Sequence, residues 1–374
     1  MSGRGLVSRR LSLWQMLRHP SATGESRESA ALLVGGAVLI VTTIIALMVF
    51  WGRTLAIAGP GSIGQFVAIG SALVAIVIFV MARWVADAGG TDNGLLPRLR
   101  WFDSAGIALA HGIVALLGWI GMAALVERSF VGAVVFPVSG AILAGVAVAC
   151  TAYVVVLSAV RMTPARLSLV LMVFLVVGVF ASMLSASDDQ WWKKNLSSLG
   201  ITDDISALTF NVTIIVAGLI VTTIAHFGTA GIPAATPKEV RGRRVVRIEL
   251  LLIGVLLAGV GIFPVDRFFA VHNVAASGMA VVFVVMVLGL RRCVPRAPRV
   301  FVFLGYGFVL CIVVLAVLLA TGYYNLTAVE LIAFVIIFAW LLLFLRNAGD
   351  PDIRDADPEV RRTEPEVRDT AVPV

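Results

Sequence analysis

Ten runs of about 20 apolar residues divide this chain, and each is long enough for a helix to cross the ~30 Å hydrocarbon layer of a bilayer. They fall at 30–51, 63–82, 104–125, 131–156, 167–184, 208–227, 248–265, 271–290, 300–320 and 328–345. A soluble core cannot absorb that much apolar surface. Hydrophobic residues make up 60% of the chain and the mean hydropathy is +1.00, well above an average soluble domain. The predicted fold is all-α, a polytopic bundle of ten membrane-spanning helices.

Loops that stay on the cytoplasmic side keep their Lys and Arg residues, which sets the orientation. Of the 29 cations, 24 lie in the two tails and the even-numbered gaps; only Arg53, Arg128, Lys193, Lys194 and Arg267 lie in odd-numbered gaps. Both termini are therefore predicted to be cytoplasmic. The formal charge of +7 is spread over loops that flank the membrane rather than gathered on one soluble face. That pattern fits contact with anionic membrane lipids and excludes nucleic acid as a partner. Ala56-Ile57-Ala58 has the form of a signal-peptide cleavage site. The apolar stretch before it exceeds the ~7–15 residues of a signal core, so it is read as a retained span. Cys150, Cys293 and Cys311 cannot meet on the outer face, so no disulfide framework is expected.

Four regions follow: an amino tail (1–29), a four-span bundle (30–160), a six-span bundle (161–346) with a long external loop at 185–207, and a carboxyl tail (347–374). An apolar-basic stretch in the amino tail, 6–18, has Arg10 interrupting its apolar face, which leaves a surface-lying helix undecided. The carboxyl tail carries eight acids, four arginines and four prolines, with Pro-Glu-Val-Arg at Pro358 and again at Pro365. Too polar to order itself, it reads as a flexible tether, with a cytoplasmic partner left open.

Within the runs, Pro137 predicts a kink in the fourth. Gly64 with Ala68, Ala141 with Gly145, and Gly254 with Ala258 have the spacing that lets helices approach closely in lipid. Apart from His111, no Asp, Glu, Lys, Arg or His lies near the middle of a run, which disfavours an ion-driven carrier. No two histidines are placed to hold a haem, and no HExxH, Walker loop or GxSxG occurs. Neither a metal nor another cofactor is expected. Asn195, Asn211 and Asn325 stand in N-x-S/T, which is read as coincidence because Asn211 and Asn325 lie at or inside the membrane boundary.

Polar groups collect at the outer end of the second half. Asn195, Ser197, Asp203 and Asp204 lie in the long loop, and Asn211 lies one turn into the sixth run. Asp266, Arg267, His272 and Asn273 mark the turn before the eighth run; Tyr323, Tyr324, Asn325 and Glu330 lead into the tenth. If these spans pack together, the polar groups rim an outward-facing vestibule for an amphipathic molecule such as a lipid headgroup. The ligand-binding candidates are Asn195, Ser197, Asn211, Asp266, Arg267, His272 and Glu330. Trp191-Trp192 and Lys193-Lys194 suit a segment lying at headgroup depth.

Asn195-Leu196-Ser197-Ser198-Leu199-Gly200 precedes Phe210-Asn211, and Gly261-Ile262-Phe263-Pro264 precedes His272 by eight residues. Over 167–345 this pattern resembles the bacterial membrane family called domain of unknown function 998. Leu196 stands where members often carry proline. The resemblance implies a six-helix unit and marks Ser197, Gly200, Pro264 and His272 as positions to test, without implying a reaction.

Three functions compete. The first is a non-enzymatic protein that binds or positions a lipid or an envelope partner. A transporter or lipid translocator would need a polar path through the midplane, with His111 as the named candidate. A membrane enzyme would use His272 as general base beside Asp266 or Glu330, with that partner oriented within hydrogen-bond reach. No residue is assigned a catalytic role. Neither a direct nor an inverted internal repeat is visible.

Overall fold

The computed structural model describes residues 24–88, 101–160, 162–201, 205–229, 232 and 235–348. Asp203, Asp204, the stretch at 6–18 and the tail beyond 348 lie outside the described residues. Ten helices are long and apolar enough to cross a membrane. They are α1 Gly24–Phe50, α2 Ile63–Ala88, α3 Trp101–Ser129, α4 Pro137–Val160, α5 Pro164–Leu184, α6 Ile205–Gly228, α7 Pro237–Ile262, α8 Phe269–Cys293, α9 Arg299–Ala320 and α10 Leu326–Ala348. No strand occurs among the described residues, so the protein is a polytopic helical bundle.

Proline sets several helix starts. Pro164 and Pro237 stand in the first turns of α5 and α7, behind Thr163 and Thr236, whose hydroxyls accept the amides of Arg166 and Glu239 at 3.3 Å. Pro298 immediately precedes α9. Pro137 behaves in the same way, which corrects the kink expected from the sequence. The fourth apolar run is not one helix: α4 begins at Pro137. The first turn of a helix has no internal use for the missing amide hydrogen, so proline starts a helix there at no loss. Residues 130–136 form a loop instead, and Val135 exchanges two main-chain hydrogen bonds of 3.0 and 2.9 Å with Leu55. This isolated bridge ties the α1–α2 loop to the α3–α4 loop. A glycine at positive φ lies three residues before each bridge partner, Gly52 and Gly132, both at 73°.

α7 differs from its predicted run in the other direction. It starts at Pro237, so the Arg241–Arg247 segment is helical and continuous with the apolar part. Arg247 Nε donates to Thr229 Oγ1 at 2.9 Å, and Glu239 pairs with Arg296 at 3.6 Å. At the foot of the apolar run Glu249 is buried.

Helices α5 to α10 pack in chain order, and α10 returns against α5, closing a six-helix ring. Trp340 of α10, fully buried, meets Phe283 of α8 edge-on at 5.5 Å and stacks on Phe301 of α9 at 4.9 Å. Outside this ring α1 packs on α4, while α2 packs on α3 and α4. α3 joins the two groups by packing on α5 and α6, and one apolar cluster, from Phe79 to Phe344, runs across the junction.

Small residues make the tightest crossings. A Cβ built on Gly218 of α6 would lie 2.5 Å from the Gly254 carbonyl oxygen and 2.6 Å from the Ala258 nitrogen on α7. One built on Gly145 of α4 would strike Thr43 of α1. Gly218→Ala must push α6 from α7, and the expected loss is about 1–3 kcal/mol, read as a lower unfolding midpoint in detergent. At Gly121 an added Cβ meets nothing within 4 Å. Gly121→Ala is therefore expected to hold stability within about 0.5 kcal/mol.

Candidate functional site

The loop between α5 and α6 leaves helical geometry, and its main chain must find partners elsewhere. It forms two 3₁₀ turns, Trp191–Lys193 and Leu196–Gly200. Leu196 and Leu199 are buried and join the main apolar cluster, which pulls the second turn into the bundle end.

Side chains from three helices then hold it. From α10, Glu330 Oε2 accepts the Leu196 amide at 2.6 Å. Asn325, just before that helix, donates to the Trp192 carbonyl at 3.0 Å while its own oxygen accepts the Ala328 amide at 3.0 Å. From α6, Asn211 Nδ2 donates to the Gly200 carbonyl at 3.0 Å. A Cβ on Gly200 would lie 2.5 Å from Asn211 Oδ1. α8 supplies His272, whose Nδ1 lies 2.8 Å from the Phe263 carbonyl and whose Nε2 lies 2.9 Å from Ser197 Oγ.

A carbonyl only accepts, so Nδ1 carries the hydrogen, and in the neutral imidazole Nε2 then accepts the Ser197 hydroxyl proton. His272 itself is buried, while Ser197 is half-buried. Within the loop, Ser198 Oγ lies 2.6 Å from the Asn195 carbonyl and 3.1 Å from that of Trp191. Below it, Ser206 and Ser182 bond each other's carbonyls at 2.9 and 3.0 Å. The buried Asn195 Oδ1 has no partner among the described residues.

Of the seven sequence candidates, Asn211, His272 and Glu330 converge on this turn, Ser197 belongs to it and Asn195 caps it. Asp266 and Arg267 do not join them. They pair with each other at 3.7 Å in the α7–α8 turn, Arg267 largely exposed. The imidazole–carboxylate pair that a membrane enzyme would need is not formed among the described residues. Both ring nitrogens of His272 face other partners, and the Glu330 carboxylate turns to a main-chain amide.

Toward solvent, Trp192, Lys193 and Lys194 are exposed. Lys193 lies over the Trp192 ring at 5.6 Å, and Lys194 bonds Asp188 at 3.0 Å. The Lys194 ammonium and the Gln190 amide hold the Asp188 carboxyl below its ordinary pKa. Their pairing is present above the carboxylate range and disappears as pH falls through that lowered value.

A second polar grouping lies in the first half. His111 of α3 repeats the His272 geometry, with Nδ1 2.8 Å from the Ile107 carbonyl and Nε2 2.9 Å from Ser158 Oγ on α4. Nearby, Trp119 Nε1 donates to Thr151 Oγ1 at 2.9 Å. These four residues line a cavity of 910 Å³, which none of the seven sequence candidates lines. His111 was visible as an intramembrane ionisable group. Ser158, Thr151 and Trp119 carried no signal, because serine and threonine in a span ordinarily bond their own helix.

Comparison with protein-family models, curated proteins and solved structures finds no match for this chain.

His272→Ala removes the partner of the Phe263 carbonyl and of the Ser197 hydroxyl. A loss of about 1–3 kcal/mol is expected, with faster amide exchange in residues 191–200 and little change in α1 to α4. Glu330→Gln keeps an acceptor for the Leu196 amide, so its effect should be smaller than that of Glu330→Ala by about 1 kcal/mol.

Proposed function

We propose that this protein is a non-enzymatic component of the bacterial cytoplasmic membrane that binds and positions a lipid headgroup at its outer face. The observation that carries the reading is the clamped loop: side chains of α6, α8 and α10 fix a short 3₁₀ turn, and the same loop leaves Trp192, Lys193 and Lys194 exposed. A surface already held in place loses little conformational freedom on binding, so weak polar contacts suffice for selection. Indole at the interface and ammonium groups facing lipid phosphate are the matching chemistry.

The resemblance to domain of unknown function 998 supports the same location. Its marked positions Ser197, Gly200 and His272 are clamp residues, and Pro264 adjoins the carbonyl that orients His272. We take membership in that family as part of the proposal.

The test is native mass spectrometry of the full-length protein released from membranes in mild detergent. Retention of an anionic lipid by the parent protein is expected, falling about tenfold when Lys193 and Lys194 are both changed to Gln and falling also in His272→Ala. Equal retention in all three, or none in any, overturns the reading. Capture of an envelope protein instead would replace the lipid as ligand.

One observation favours a second reading. Ser197 Oγ at 2.9 Å from a histidine of fixed tautomer is the arrangement of an activated hydroxyl nucleophile. A membrane acyl-transfer enzyme built on this pair would react with a fluorophosphonate probe at Ser197, and His272→Ala would abolish the labelling. An unlabelled Ser197 in folded protein removes that reading.

A further inference from the structure

α4 packs on α1 and α2 but stands off from α3 and α5, and the space between the three is the 910 Å³ cavity. Its volume suits an organic ligand. We propose that this cleft holds one anionic glycerophospholipid from the arginine-rich leaflet, its phosphate at Arg27 and Arg166 and an acyl chain lying beside Gly118.

Charge defines one end. Arg27, Glu28 and Arg166 line the cavity where α1 and α5 begin, which places two guanidinium groups beside one carboxylate among the described residues. Arg166 Nη1 donates to the Leu157 carbonyl at 2.6 Å, which fixes its side chain along α4. Guanidinium offers five N–H donors in a planar fork, the geometry that grips a phosphate.

Length and chemistry define the rest. The lining runs from Ser158 to Cys150 along α4 and from His111 to Met122 along α3, spanning roughly 12–16 Å at 1.5 Å per residue. One leaflet of hydrocarbon is about 15 Å deep. The walls at that depth are apolar, with Val114, Val154, Leu169 and Val173 among them.

A Cβ built on Gly118 meets no atom within 4 Å, so the cleft wall there is open. The His111–Ser158 and Trp119–Thr151 bonds cross between α3 and α4 and keep the two helices at this spacing. Thr151 also reaches Ser71 of α2 at 3.3 Å. A free phosphate would have no use for the apolar length, and a neutral lipid would have none for the two arginines.

The test uses the full-length protein in lipid nanodiscs containing phosphatidylglycerol or phosphatidylcholine with a photoreactive diazirine in one acyl chain, followed by peptide mapping. Label from the anionic probe is expected on peptides covering residues 114–122 and 150–157, about tenfold above the zwitterionic probe. Gly118→Phe fills the cleft and should remove that label, whereas Gly118→Ala should keep it. If Gly118→Phe does not fold, the double change Arg27→Gln, Arg166→Gln decides, because it should abolish the headgroup preference.

Equal capture of both probes by the parent protein overturns the proposal. So does label spread evenly over α9 and the other lipid-facing helices, or label undiminished by Gly118→Phe. Lipid held at the outer loop would mark residues 191–200 instead, so this outcome is independent of the outer-face reading.

Discussion

Hydrocarbon offers no partner to an open peptide group, and that constraint organises both the bundle and the loop between α5 and α6. Inside the ten helices the main chain satisfies itself. Where it leaves helical geometry at 191–200, side chains take over: Glu330 holds the Leu196 amide, Asn325 the Trp192 carbonyl and Asn211 the Gly200 carbonyl. His272 does the same for the carbonyl end of α7 at Phe263. The polar residues at this depth are thus placed by the needs of the backbone. Any ligand site at this end of the bundle is built on that scaffold.

The same constraint governs how the helices meet. Spans gain little hydrophobic energy from one another in lipid, so close approach and interhelical hydrogen bonds must supply the association. Gly218 against Gly254 brings α6 and α7 nearly to backbone contact, and Gly145 does so for α4 and α1. α3 and α4 do the opposite. They are linked through side chains, His111 to Ser158 and Trp119 to Thr151, at a separation that leaves the cleft. Packing by small residues closes one part of the bundle, and spacing by long side chains opens another.

Much of this was legible from the amino-acid order because it depends on single-residue transfer energies summed along the chain. Span number and the gathering of Ser197, Asn211, His272 and Glu330 at one end follow from hydropathy and loop length. Pro137 was misread because an unbroken apolar run does not distinguish a kinked helix from an apolar loop followed by a helix start. The Leu55–Val135 bridge that forms that loop joins residues 80 positions apart. Likewise, nothing local links His272 to Ser197, 75 residues away, or His111 to Ser158, 47 away. Hydropathy marks a histidine in a span, but three-dimensional packing selects its partner.

The two Ser–His pairs show how far identical local chemistry leaves function open. In each, a main-chain carbonyl fixes the protonated nitrogen and a serine hydroxyl faces the other. His272 sits beneath a clamped loop, so its pair fastens two segments of chain and presents one half-buried hydroxyl. His111, backed by the Phe79 ring at 4.8 Å, lines a cleft as deep as one leaflet with arginines at its mouth. The imidazoles are alike, and what each can act on is set by the space beside it. That space is an outcome of helix packing, so the first half of the chain, whose apolar runs carry little polar marking, holds the 910 Å³ cavity.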